Sequence, residues 1–157
     1  MKTLALVLLA STLAFTQVAC TPGGSPGAGS VAAMAGTVSP AHVELDVFSG
    51  LPNPTWELSA ADTATLMDMI EALPSTSPVD LPNPLGYRGF LVSLTAPESG
   101  STGTIRAFQG VVEYLAGEMR YYADPGRQTE RWLLTTARTH IEEELYSSVL
   151  AEIGGNE

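Results

Sequence analysis

The 157-residue chain carries one cysteine, Cys20, and it stands where an apolar run gives way to a neutral, glycine-rich stretch. With no second thiol, no intrachain disulfide can form. Whatever folds beyond Cys20 must therefore be held by an aliphatic and aromatic core, which requires a domain of reasonable length. Residues 21–40 are Gly, Ala, Ser, Pro and Thr with scattered Val and Met and no charged side chain, and they show no apolar period. Such a segment buries too little surface to offset its ordering entropy, so it reads as a flexible linker. Nearly all the charge, aromatic residues and periodic pattern lie from Ala41 onward, which sets 41–157 apart as one globular domain.

The first nineteen residues read as an export signal. Lys2 supplies the positive start, the run from Leu4 to Phe15 is broken only by Ser11 and Thr12, and Ala19 supplies the small residue before the cut. The run is too short for the ~20 apolar residues of a spanning helix. Val18-Ala19-Cys20 resembles the lipobox of bacterial lipoproteins, with Gln17 where leucine is usual. The resemblance implies a diacylglyceryl thioether on Cys20, cleavage before it and acylation of the new amino group. It makes 20–40 a lipidated cysteine plus tether, and the membrane a partner through the lipid. A sulfur consumed in this way also leaves no reactive odd thiol in an oxidising compartment. Thr21, rather than Asp, follows the cysteine, so the resemblance implies the outer membrane, facing periplasm or surface, over the inner one.

Within the domain, Val43, Leu45 and Val47 alternate with Glu44 and Asp46, which predicts a half-buried strand. Gly50-Leu51-Pro52-Asn53-Pro54 forces a turn, after which Trp56-Glu57-Leu58 resumes extended chain. Ser59, with Asp62 three residues on, predicts a helix start, Leu66, Ile70 and Leu73 share one face, and Pro74 stops it. A proline-rich loop to Gly86 precedes a predicted strand over Tyr87–Thr95 and a hairpin loop over 97–103. Extended segments follow at Ile105–Gln109, Val111–Leu115 and Met119–Ala123. Asp124-Pro125-Gly126 then opens a long terminal helix on which Leu133, Ala137, Ile141, Leu145 and Val149 recur every four residues, to about Ile153 with Gly154 as terminator. This pattern predicts an α+β fold, roughly ββαβββα along the chain, with an antiparallel sheet packed against two helices and its other face open to solvent.

Leu-Pro-Asn-Pro occurs twice, at Leu51–Pro54 and Leu81–Pro84. The plain explanation is two independent turns; the functional one is a shared recognition surface of Asn53, Trp56, Asn83, Tyr87 and Arg88, since loops braced by a sheet often carry binding residues. The segments Asp46–Trp56 and Leu85–Phe90 are similar to a pattern in small bacterial proteins with no known activity, which implies a common fold and no mechanism.

Signals for chemistry are thin. His42 and Asp46 lie too far apart on one short strand for direct contact, and no Gly-x-Ser-x-Gly elbow surrounds Ser49, so a serine hydrolase is only an alternative. His140 with Glu143 and Glu144 places a ring nitrogen and a carboxylate on one helical face, a partial metal set, but two ligands do not make a site. Tyr121, Tyr122, Asp124, Arg127, Glu130, Arg131 and Trp132 cluster at the last strand-to-helix junction; either they anchor a partner, or Trp132 and one tyrosine are core while Arg127 and Glu130 pair at the surface. No phosphate-binding or cofactor motif is present, and no cofactor is expected. Without the leader the chain has six arginines against seventeen Asp and Glu, a formal charge of −11, which argues against nucleic acid as a partner. The expectation is a lipid-anchored binding, scaffolding or envelope-maintenance domain for a protein or small ligand, with an envelope hydrolase or an inhibitor of a basic protein as alternatives.

Overall fold

A computed structural model describes residues 39–95 and 101–155; the leader, Cys20, nearly all of the tether and most of the 97–103 loop lie outside the described residues. The alternation at the domain start produces strand β1 (Ala41–Leu45), with Ala41, Val43 and Leu45 fully buried and His42 exposed. Strand β2 (Thr55–Leu58) pairs antiparallel to it, with Val43 opposite Trp56 and Ala41 opposite Leu58, so the apolar sides of both strands face the same way. Helix α1 (Ala60–Glu71) starts where Ser59 predicts: the Ser59 Oγ accepts from the Asp62 N–H at 3.1 Å and donates to the Asp62 carboxylate at 2.6 Å. Leu66 and Ile70 on its inner face are fully buried.

Strands β3 (Phe90–Thr95), β4 (Thr102–Phe108), β5 (Val111–Ala116) and β6 (Glu118–Ala123) complete a six-stranded sheet in the order β2-β1-β3-β4-β5-β6, with every pairing antiparallel. Along β6 the edge is partly covered, because the Ala123 N–H donates to Pro74 O and the Thr76 N–H to Tyr121 O, both at 2.9 Å. Closing an edge in this way removes donors and acceptors that invite another chain. Helices α2 (Gln128–Thr136) and α3 (Glu143–Gly154) join α1 in one apolar cluster with the inner face of the sheet, including Phe90, Val92, Ile105, Leu133, Val149 and Ile153. The outer face carries His42, Glu57, Ser93 and Thr104, which are exposed. The α+β class and one-sided antiparallel sheet expected from the sequence are therefore observed.

The single terminal helix is in fact two. Thr135 and Thr136 turn their hydroxyls back onto the carbonyls of Trp132 and Leu133, at 2.6 and 2.7 Å, and the Ala137, Arg138 and His140 N–H groups reach only three residues back. Backbone carbonyls diverted to side chains and tightened turns end an α-helix. Packing favours the break. One helix across 128–153 would run about 39 Å at ~1.5 Å per residue, against about 20 Å for a six-residue strand. Folding back lets α3 return over the same sheet, and the four-residue recurrence survives as burial: Leu133, Ala137 and Val149 are buried, while Ile141 and Leu145 pack partly against the core.

The strand predicted from Tyr87 starts only at Phe90, because Gly86 and Gly89 take φ of 101° and 102°. A Cβ at Gly89 would lie 2.4 Å from Ala107 O and 2.8 Å from Phe108 Cβ, whereas one at Gly50 (φ 86°) would meet nothing within 4 Å. Gly89→Ala should thus lose roughly 2–5 kcal/mol, from backbone strain plus overpacking, and Gly50→Ala only about 1–2 kcal/mol from strain alone. Urea unfolding midpoints of the two variants measure the difference, and equal losses would contradict the close approach at Gly89.

Candidate functional site

One end of the sheet gathers the turn after β1, the strap before β3, the β4–β5 turn, the end of β6 and the start of α2. Two polar clusters build it. In the first, the Arg88 guanidinium donates to both oxygens of Asp46, through Nε at 3.0 Å and through Nη2, and to Phe48 O at 3.0 Å, Ser49 Oγ at 3.2 Å and Gly86 O at 3.3 Å. Hydrogen bonding to Asp46 raises the Arg88 pKa above its ordinary value. Asn53 closes the same cluster: its Oδ1 accepts from the Val47 and Phe48 N–H groups at 3.1 and 2.8 Å, and its Nδ2 donates to Glu44 at 2.8 Å and Asp46 at 3.2 Å. All four hydrogen-bonding positions of the amide are occupied. The turn and the strap are thereby stitched together, and they present Phe48, Leu51 and Leu85 outward at 37, 69 and 95% exposure.

The second cluster is buried. Glu130, at 1% exposure, takes a two-pronged contact from Arg127, Nε to Oε1 at 2.9 Å and Nη2 to Oε2 at 2.6 Å. It also accepts from the Tyr87 hydroxyl at 2.5 Å and from the Gly110 N–H at 3.1 Å. The remaining Arg127 nitrogen donates to Glu152 O and Ile153 O at 2.9 and 3.3 Å, placing positive charge on the last carbonyls of α3, where the helix dipole favours it. Arg127 sits in the left-handed region (φ 50°) just before α2, and Asp124 caps the helix from further back, its carboxylate accepting from the Gln128 and Thr129 N–H groups at 2.9 and 2.7 Å. The hydrogen bonds to Glu130 raise the Arg127 pKa, and burial, with the Glu130 charge next, drives the Tyr87 phenol well above its ordinary value near 10.

Between these clusters and α3 lies a cavity of about 220 Å³ whose lining includes Val47, Leu85, Tyr87, Phe108, Arg127 and Glu152, with Val149 from α3. Tyr87 and Phe108 meet edge to face with ring centroids 5.8 Å apart. A shallower hollow of about 400 Å³ opens past the β4–β5 turn, against Gln109, Gly110, Pro125 and Arg127.

The five residues expected to form one recognition surface divide. Asn53 and Arg88 do meet, at Asp46, but as braces. Tyr87 faces inward to Glu130, and Trp56 is core, its indole donating to Thr136 Oγ1 at 3.0 Å and its ring stacked on His140. Asn83 is exposed on its loop. His42 bonds Glu57 across the strand pair at 2.8 Å, away from Asp46, and Ser49 is a partner of Arg88. His140 lies in the turn before α3, off the helical face that holds Glu143 and Glu144, and no group of three or more metal-ligating side chains occurs among the described residues. Tyr122 is buried and Trp132 half-buried. The expectation of a surface Arg127–Glu130 pair is corrected: the pair is internal, with Arg127 at 7% exposure. Its signal in the sequence was spacing, since Glu130 stands three and four residues before Leu133 and Leu134, on the apolar side of α2.

Removing the phenol tests this arrangement. Tyr87→Phe should destabilise the domain by about 1.5–3 kcal/mol, the range for a hydrogen bond to a charged group. It should also change the alkaline limb of stability. Because the folded pKa of Tyr87 lies above the unfolded one, its contribution is complete below pH ~10 and declines as pH climbs from there toward the folded pKa. Denaturant titrations between pH 8 and 11 should show a steeper alkaline decline for the wild type than for Tyr87→Phe, and parallel declines would refute the assignment.

No family model, no curated protein and no solved structure matches this chain.

Proposed function

We propose that this chain is a bacterial lipoprotein, exported by residues 1–19, anchored through a lipid on Cys20, and carrying a binding module of the cell envelope at the end of a neutral tether. The leader pattern ending at a lone cysteine supports the anchor. For the domain, the observation that carries the reading is the use of Arg88: its guanidinium is spent joining two turns into one rigid platform, from which Phe48, Leu51 and Leu85 project. A chain that braces a loop pair and leaves its apolar side chains in water incurs their hydration cost in the free state and recovers it on association. Rigidity also lowers the entropy lost on binding. Outer-membrane placement follows the lipobox resemblance.

The anchor is tested by Cys20→Ala in a Gram-negative host. The wild-type protein should incorporate labelled fatty acid and sediment with outer-membrane vesicles on a sucrose gradient; the variant should take up no label and leave the membrane pellet. Unchanged fractionation of the variant would overturn the reading.

A further inference from the structure

Strand direction gives the domain two distinct ends. β1 begins at Ala41, next to the tether, and finishes at Leu45, next to the braced turns. A five-residue strand covers about 16 Å, so Phe48, Leu51 and Leu85 lie at the far end of the sheet from the point of attachment. In the lipid-anchored reading, on which this inference rests, that end lies opposite the attachment point, and a flexible tether leaves it free to meet soluble partners.

The arginines at this end are all engaged. Arg88 and Arg127 are neutralised internally by Asp46 and Glu130, Arg106 stands 3.9 Å from Glu113 and donates to Arg88 O, and Arg131 donates to Gly126 O. Glu152 lines the cavity, and its carboxylate has no ion pair among the described residues. The chain without its leader carries a formal −11. Volume narrows the ligand further. Sites for free drug-sized molecules measure roughly 300–1,000 Å³, while about 150 Å³ holds a benzene ring. At about 220 Å³, this cavity fits one aromatic or long aliphatic group. The neighbouring exposed Phe48, Leu51 and Leu85 offer contact area that such a small group on its own would leave unused.

We infer that the end of the domain opposite the tether binds a cationic, partly apolar polypeptide segment of a partner protein. One apolar side chain enters the cavity between Tyr87, Phe108 and Val149, its neighbours pack on Leu85, Leu51 and Phe48, and a basic group meets Glu152. Like charge repels acidic competitors, and the net negative field speeds encounter with basic ones.

The test uses the lipidated full chain, ¹⁵N-labelled, in phosphatidylcholine nanodiscs, with two synthetic twelve-residue probes, one of alternating Lys and Leu and one of alternating Glu and Leu. The Lys/Leu peptide should shift the amides of Gly86, Tyr87, Gln109 and Glu152. Its affinity should fall about tenfold or more in Leu85→Asp and about threefold or more in Glu152→Gln, with less than about twofold change in Glu118→Gln at the opposite end. Shifts centred on Glu142–Glu144, or equal affinities for Glu118→Gln and Glu152→Gln, would overturn the assignment by showing nonspecific charge attraction. Binding of the Glu/Leu peptide at the same amides would overturn the cationic partner while leaving the binding module standing. Broadening of Leu51 and Leu85 by spin-labelled lipid before peptide is added would overturn it in favour of the bilayer as occupant. Failure of the anchor itself is read separately, in the Cys20→Ala fractionation.

Discussion

A carboxylate placed in an apolar core has to be matched, and Glu130 is matched by Arg127, Tyr87 and the Gly110 N–H together. Four parts of the chain meet on those oxygens: the start of α2, the end of α3 through the carbonyls that Arg127 also holds, the β4–β5 turn, and the strap before β3. A buried ion pair of this kind adds little net stability compared with a well-packed apolar substitute, but losing one partner strands a charge at a cost of about 3–5 kcal/mol. Its effect here is to exclude alternative arrangements. Slide α3, or reseat the strap, and either the guanidinium or the carboxylate loses partners.

The fold-back of α2 and α3 follows from the same constraint. An uninterrupted helix would satisfy local propensity, yet it would overshoot the sheet and leave Arg127 without the α3 carbonyls. The threonine hydroxyls at 135 and 136 supply the local reason for a break, and the core supplies the reason that α3 returns. Trp56 seals that junction, bonded to Thr136 and stacked on His140, so two residues with catalytic or recognition potential serve packing instead.

The platform formed by the turn after β1 and the strap depends in turn on the buried cluster, because Tyr87 and Arg88 are consecutive and face opposite ways. Tyr87 pins the strap from inside, and Arg88 ties it to Asp46 and Phe48 outside. Exposed apolar side chains on flexible loops would tend to collapse onto the nearest core. Held from both sides, Leu85 stays in water, with the cavity beside it.

By itself the sequence determined what is local or periodic. Alternation of Val43, Leu45 and Val47 with Glu44 and Asp46 set the face of β1, Ser59 and Asp62 set the start of α1, and Asp124 marked the cap of α2, since each of these patterns spans at most five residues. Class α+β and a one-sided sheet follow from adding such pieces. Tertiary structure decided everything that joins distant residues. Tyr87 reaches Glu130 across 43 positions and Arg88 reaches Asp46 across 42, and no local rule separates a polar side chain aimed at solvent from one aimed at a buried partner. Hence Asn53, Tyr87 and Arg88 read as a surface in the sequence and became the braces of one. Their partners are chosen by strand order and helix return, which emerge only when the whole chain buries its apolar side at once.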